Sequence, residues 1–497
     1  MKKRYIIVVF FLLLFNHCFA QYFGNFPVIE KDKLHRDLDI LHQALDKFHS
    51  GMYWYTPRDS VELAFRNVSE EINQDMNVLE FHKLIAPLVA LSREDHTDIS
   101  LPDDILNQID EDDSIRFLPL KVIFLGEKLY CTKNASGNRA EIEQLEIETI
   151  NGETPVEIVS KIGNLFASDG FIAPVKYSDL RNLNFSRYYY YYYGKIDSFD
   201  IKFKEIPQVV RIQSLPLAKI NENLKAHDST VRSVQSKEPL ELRILDKSTA
   251  YLGVHTFSNS KIRERSTYKT FDKFLKYSFN EIQRNEIQNL VIDMGNNGGG
   301  SEGNEGLLYS YFGNNYQKYL KVRAKTQKAV LDNGIDKPII LRTFGFVEQH
   351  FQNKRMADGS LERRKNAEPG LMAFKKEPKQ KFKGNIFIII SPVTYSGGSE
   401  FSNMMYSQGL ATFVGQEAGG GYYGNTSGYS RELTLPNSRI VVDIPALQFV
   451  MNVEPKIPFG RGVIPHYEVI PTIEQFSQNK NVALDFILKL INDKGNK

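Results

Sequence analysis

The chain has 497 residues, 42% of them hydrophobic and 25% charged, with 62 basic side chains against 60 acidic ones. That balance is that of a globular protein of two or three domains and excludes a disordered, fibrous or collagen-like chain. A near-neutral charge leaves no basic footprint for nucleic acid, and only two cysteines exclude a disulfide scaffold.

The first twenty residues carry Lys2, Lys3 and Arg4, an apolar run from Tyr5 to Phe15, and Cys18-Phe19-Ala20 before Gln21. Small residues three positions and one position before a cut mark a signal-peptidase site, so residues 1–20 read as an export signal and the mature protein as periplasmic or extracellular. The apolar run falls short of the ~20 residues that a membrane span needs. No later stretch serves better, and no stable span is expected after leader removal. A lipid anchor on Cys18 would want small and aliphatic residues before it, where Phe15-Asn16-His17 stand. Cleavage leaves Cys131 as the one cysteine, with no disulfide to form within the mature chain.

Residues 21–110 read as a helical subdomain. Leu34, Leu38, Leu41, Leu45 and Phe48 recur at helical spacing, as do Val61, Phe65, Val68 and Ile72, and then Val78, Phe81, Leu84, Ile85, Leu88 and Leu91 around a kink at Pro87. His35, His42 and His49 are seven apart, about 10 Å along a helix, too far for one metal ion, and are read as part of a solvated face. The third helix runs into Glu94-Asp95-His96-Thr97 and a strand start at Ile99 and Leu101. His96 at such a junction is by default a surface or hydrogen-bonded turn residue, although imidazole is suited to general-base work near neutrality.

Residues 111–220 alternate short strands with a helix, and Ile147-Glu148-Thr149-Ile150-Asn151-Gly152 resembles the turn of a PDZ domain, so this unit is taken as a PDZ-like module. The six tyrosines 188–193 read as a half-buried strand, with an aromatic face for an extended peptide as the other possibility. A polar linker follows at 221–245.

From Ala250 strands and helices alternate, which predicts an α/β core over residues 246–497. The strand Leu290-Val291-Ile292 ends in Asp293-Met294-Gly295-Asn296-Asn297-Gly298-Gly299-Gly300-Ser301. This loop lacks the Gly-Lys-Ser/Thr ending of a P-loop and the spacing of a dinucleotide fingerprint, which leaves bare N–H groups able to approach a ligand oxygen. Residues 316–383 are basic and weakly patterned and read as a surface insertion. The core resumes with the apolar run Ile386 to Ile390 and Thr394-Tyr395-Ser396-Gly397-Gly398-Ser399-Glu400. Ser396 then sits between strand and helix, at an N-terminus that favours negative charge, with Gly397 N–H as a candidate oxyanion donor. Serine and glycine also cap helices for structural reasons alone. A hairpin is predicted around Pro436-Asn437 and a closing helix over 482–491.

The leader, Glu94-Asp95-His96-Thr97, the Asn-Gly module, the glycine loop and Thr394-Tyr395-Ser396-Gly397-Gly398-Ser399-Glu400 follow one another as in the tail-specific, or C-terminal processing, serine peptidases and their tricorn-core relatives, which the chain resembles over most of its length. The resemblance implies a crotonase- or ClpP-like catalytic domain acting on peptide or protein substrates, without metal or organic cofactor, with Ser396 as nucleophile and N–H groups of Gly397 and of Gly298 or Gly299 as the oxyanion hole. The processing branch takes its base from a lysine in the loop that here reads Glu417-Ala418-Gly419-Gly420-Gly421-Tyr422, with no lysine. The tricorn-like branch uses a histidine in a context that Glu94-Asp95-His96-Thr97 matches, which implies His96 as base, with His255 as its rival. The third residue is left open between Glu454, Glu400 and none at all, and the family's Gly-Val-x-Pro-Asp appears with His466 in place of the Asp. The expectation is an exported serine peptidase, possible as an oligomer; the alternatives are a catalytically impaired peptide-binding protein on the same fold and a crotonase-type acyl-thioester enzyme, against which an export leader speaks.

Overall fold

The computed structural model describes residues 26–137, 141–228, 238–314, 316–326, 351–364 and 381–495; the leader, Cys18 and much of the 316–383 stretch lie outside them. The strands Thr249–Val254, Asn289–Asp293 and Asn385–Ile390 are buried along nearly their whole length, as expected for central parallel strands covered on both faces. They form the middle of a six-stranded sheet in the order Tyr467–Glu468, Thr412–Gly415, Asn385–Ile390, Asn289–Asp293, Thr249–Val254, Leu240–Ile244. All neighbours are parallel except the last pair. The Phe271–Arg284 helix, capped by Thr270, lays Phe274, Leu275, Phe279 and Ile282 into the core.

A second, antiparallel sheet of five strands shares that core: Asn353–Arg355, Leu361–Arg363, Tyr319–Ala324, Leu447–Met451 and Gly424–Ser427. The stretch expected to be a surface insertion therefore opens with a structural strand. Tyr319, Val322 and Ala324 point inward; a register shift after Tyr319 and the intervening Lys321 and Arg323 conceal their alternation in the sequence.

The middle unit is an antiparallel sheet taken in chain order, Leu120–Leu125, Lys128–Asn134, Glu146–Ile150, Ser198–Phe203 and Val210–Gln213. Its Pro155–Ile162 helix opens on a capping box between Thr154 and Glu157. The tyrosine run is a helix, Asn184–Tyr193, and not the strand expected of it. Six identical residues have no period of their own, so packing chooses the conformation: Tyr189 enters the core of this unit, while Tyr190 and Tyr191 enter the N-terminal core. Tyr189 and Tyr193, one helical turn apart, stack with ring centroids at 4.3 Å. The supposed linker carries the Leu217–Asp228 helix and the edge strand Leu240–Ile244.

The N-terminal helices Lys31–Phe48, Arg58–Glu71 and Val78–Ala90 form as their periodicity predicts. The histidines do not form one solvated face, because His49, at the end of the first helix, is fully buried. This unit is bound to the far end of the chain. Its core includes Leu435, Ile440, Val442 and Ile444 from the predicted hairpin, Arg431–Thr434 with Val441–Ile444. The buried Asp37 carboxylate accepts from the N–H groups of Asn437 and Ser438, at 3.1 and 2.7 Å, and so caps the hairpin turn. The strand Asp98–Ser100 adds to the same hairpin, pairing antiparallel with Val441–Ile444. Among the described residues no helix is long and apolar enough to cross a membrane.

Candidate active site

Ser396 lies between the Asn385–Ile390 strand and the Gly397–Ser407 helix, with φ 47° and ψ −125°. For a residue with a Cβ this is a strained conformation, and such strain persists only where the surroundings enforce it. They do so here. Tyr395 N–H donates to Asn297 O at 3.0 Å, Thr394 Oγ1 to Met294 O at 3.0 Å, and Ser399 Oγ to Thr394 O at 2.7 Å. The half-buried serine is thereby fixed at the first turn of a helix whose N–H groups point at it.

The glycine loop packs directly on this turn. Gly299 has φ +92°, and a Cβ on it would stand 2.6 Å from Ser396 Cβ and 3.0 Å from its Oγ, so only glycine lets the loop pass beside the hydroxyl. Asn297 shapes the loop from within: its Nδ2 donates to Val254 O and its Oδ1 accepts the Gly299 N–H at 2.8 Å. That bond occupies one of the two loop donors expected for an oxyanion. The N–H groups of Gly298 and Gly397 have no partner among the described residues.

His96 is half-buried in the turn that joins the Val78–Ala90 helix to the Asp98–Ser100 strand, and its Nδ1 has no hydrogen-bond partner among the described residues. Its neighbours are tied down one after another. Glu94 Oε2 accepts from Thr426 N–H at 2.7 Å, Asp95 N–H donates to Asp169 Oδ1 at 2.9 Å, and Thr97 Oγ1 bonds His49 Nε2 at 2.7 Å. Asp169, buried to 1% exposure, holds the Gly421 N–H at 2.9 Å with its second oxygen. Burial pushes its carboxyl upward, and the charge of His96 acts against that rise. The adjoining Gly420 is close enough that a Cβ there would meet Ser396 N at 3.4 Å. Asp169 thus faces the histidine on one side and the loop beside Ser396 on the other. Sequence reasoning missed it, since Ser168-Asp169-Gly170 sits in an unpatterned turn.

Residues 248–469, which contain the glycine loop and the serine turn, match the family model of Peptidase family S41. The chain carries an S41 peptidase domain over those residues. The fold is also like that of two solved structures. Mature CPAF is 14% identical with a TM-score of 0.59, over 94% of this chain and 98% of that one. Mature CPAF complexed with lactacystin is 15% identical with a TM-score of 0.61, over 93% and 99%. At such identities the likeness is one of fold. No curated protein sequence matches.

The remaining candidates of this S41 peptidase, a hydrolase by family, occupy distinct places. Glu400, one turn past Ser396, is committed to other partners: it accepts from Lys318 Nζ at 3.1 Å, Tyr319 hydroxyl at 2.7 Å and Asn425 Nδ2 at 3.2 Å. Lys318 also pairs with Glu302 and, at 2.6 Å, with Glu305. These three carboxylates form a cluster able to gather a cation, and the ammonium already fills it. Burial pulls the Lys318 amine down, but Glu305 and Glu400 outweigh it and hold the group well above the ordinary lysine range. A permanently charged lysine cannot serve as a base. Glu454 is exposed, and its N–H bonds Ser407 Oγ at the far end of the Gly397–Ser407 helix. Eleven residues at 1.5 Å each put that end, and with it the Glu454 backbone, about 16 Å from Ser396. His255 lies beside Gly298 and Gly299, on the face of the glycine loop that opens into a cavity. His466 belongs to the sheet edge, where its Nδ1 accepts from Phe413 N–H at 2.9 Å.

Proposed function

We propose that the protein is an exported serine peptidase in which Ser396 is the nucleophile and His96 the general base. The observation that carries this reading is the strained Ser396 at a helix start with a glycine, Gly299, packed against its hydroxyl. Ser396 Oγ attacks the scissile carbonyl carbon while its proton passes to His96, and the tetrahedral oxyanion is held by the N–H groups of Gly397 and Gly298. Collapse breaks the C–N bond, His96 returns the proton to the leaving amine, and water hydrolyses the ester by the same route reversed. Asp169 acts through His96 as a positioning residue, its carboxylate favouring the imidazolium that forms in each half-reaction. Export rests on the leader at residues 1–20, and the middle unit, with its Asn151-Gly152 turn, supports a PDZ-like role in holding the substrate chain.

A fluorophosphonate probe tests the assignment. Labelling of the wild-type protein that vanishes in Ser396→Ala and falls sharply in His96→Ala supports it. Folded wild-type protein that takes no label supports instead a peptide-binding protein on the same fold. Retained peptide turnover in Ser396→Ala overturns the nucleophile.

A further inference from the structure

Two ties bracket the glycines beside Ser396. Ahead of them, Tyr395 N–H donates to Asn297 O and joins the loop to the turn that bears the serine. Behind them, the fully buried Lys318 joins the chain just past the loop to the Gly397–Ser407 helix. Its ammonium pairs with Glu302 and, at 2.6 Å, with Glu305 on one side, and with Glu400 at 3.1 Å on the other. Glu305 belongs to the Asn304–Tyr309 helix, and Glu400 to the first turn of Gly397–Ser407. Both carboxylates have further donors. Gly303 N–H reaches the two Glu305 oxygens at 3.1 and 3.0 Å, while Glu400 also holds the Tyr319 hydroxyl and Asn425 Nδ2. Glu305 in turn packs on Gly397, where a Cβ would stand 3.7 Å from its Oε2.

Stability alone does not account for this arrangement, because a buried ion cluster is commonly no more stable than apolar side chains of the same volume. What the charges add is fixed geometry. Apolar cores lose uniqueness before they lose stability when they are repacked, whereas charge-assisted bonds are short and directional and set the separation of the elements they join. We infer that Lys318 is a positioning residue for the oxyanion hole: by tying Glu305 to Glu400 it holds the Gly298 and Gly397 N–H groups at the spacing that a tetrahedral intermediate requires. It acts through Gly303 and Glu305 on the glycine loop, and through Glu400 on the helix that starts at Gly397. The inference rests on the proposed roles of Ser396 and of these two amides. A hole of this kind is sensitive to its support, since a displacement of about 1 Å can cost on the order of 100-fold in rate.

The triple variant Lys318→Met/Glu305→Gln/Glu400→Gln removes the tie without stranding a buried charge, so its urea midpoint is expected close to that of the wild type. Fluorophosphonate labelling of the folded, full-length protein is then followed against probe concentration. The maximal labelling rate is expected to fall about 100-fold, with the half-saturating concentration within about twofold of wild type, because the amides act on the transition state and not on the encounter complex. Glu305→Asp keeps the charge and shortens the arm by one methylene; it decides the matter if the triple variant does not fold, with an expected loss of about tenfold in the maximal rate alone. A folded variant that labels at the wild-type rate overturns the inference. So does a loss confined to the half-saturating concentration, or one that merely follows the fraction of folded protein. Failure of the nucleophile assignment shows separately, as wild-type protein that takes no fluorophosphonate.

Discussion

His49 Nε2 donates to Thr97 Oγ1 at 2.7 Å in a fully buried setting, one residue from His96. The direction follows from the other ring nitrogen, since Nδ1 accepts the Gly51 N–H at 3.1 Å and so carries no proton. The bond from Gly51 therefore needs a neutral ring, whereas the one to Thr97 would survive protonation. Burial, with Lys325 adding to it, drives the His49 pKa down to about 3. The unfolded chain, with an ordinary histidine near 6.5, binds the extra proton first. Stability is complete above about pH 6.5 and is lost as pH falls toward 3, by up to ~1.4 kcal/mol per pH unit. Thermal unfolding between pH 7.5 and 4.5 should show this slope, and His49→Gln should flatten it.

Gly299→Ala should cost both stability and reactivity. The new methyl would meet Ser396 Cβ at 2.6 Å from a backbone at φ +92°. Strain of about 1–3 kcal/mol is expected in urea unfolding, with fluorophosphonate labelling slowed by an order of magnitude or more. Gly298→Ala, which meets nothing within 4 Å, should unfold like the wild type.

Lys318→Met would leave Glu305 and Glu400 buried without their counter-charge. A loss of about 3–5 kcal/mol is expected by urea unfolding. The double variant Lys318→Met/Glu305→Gln should lose less than the single one, because one of the stranded charges is gone.

Asp169→Asn should reduce kcat about 10- to 100-fold, by analogy with the carboxylates that orient metal-bound histidines. A purely structural role would stop there. Removing a negative charge that faces His96 should also shift the acid limb of the kcat/KM profile to lower pH, which a stopped-flow pH series would reveal.

Local grammar made much of this legible in advance. A buried apolar run, a tight turn and a helix around Ser396, and a glycine loop after Asp293, each declare themselves within a dozen residues. The choice of His96 rests only on likeness to relatives, because nothing in a turn between helix and strand says what the ring will face. Asp169 was invisible: its partners, Asp95 and Gly421, lie 74 and 252 residues away. The tyrosine run failed because a uniform sequence has no phase, and Tyr319–Ala324 failed because a register shift broke its alternation. The choice of Glu454 rested on order along the chain, and the structure puts that residue at the wrong end of a helix.

The clamp of Asp37 on the turn at Asn437 spans 400 residues. With the Asp98–Ser100 strand laid on the same hairpin, it makes the turn that bears His96 dependent on sequence near the opposite end of the polypeptide. On the proposed assignment, a partly synthesised or partly translocated chain cannot hold its base beside its nucleophile. On that assignment, proteolytic competence would arrive only once the two ends of the polypeptide have folded together.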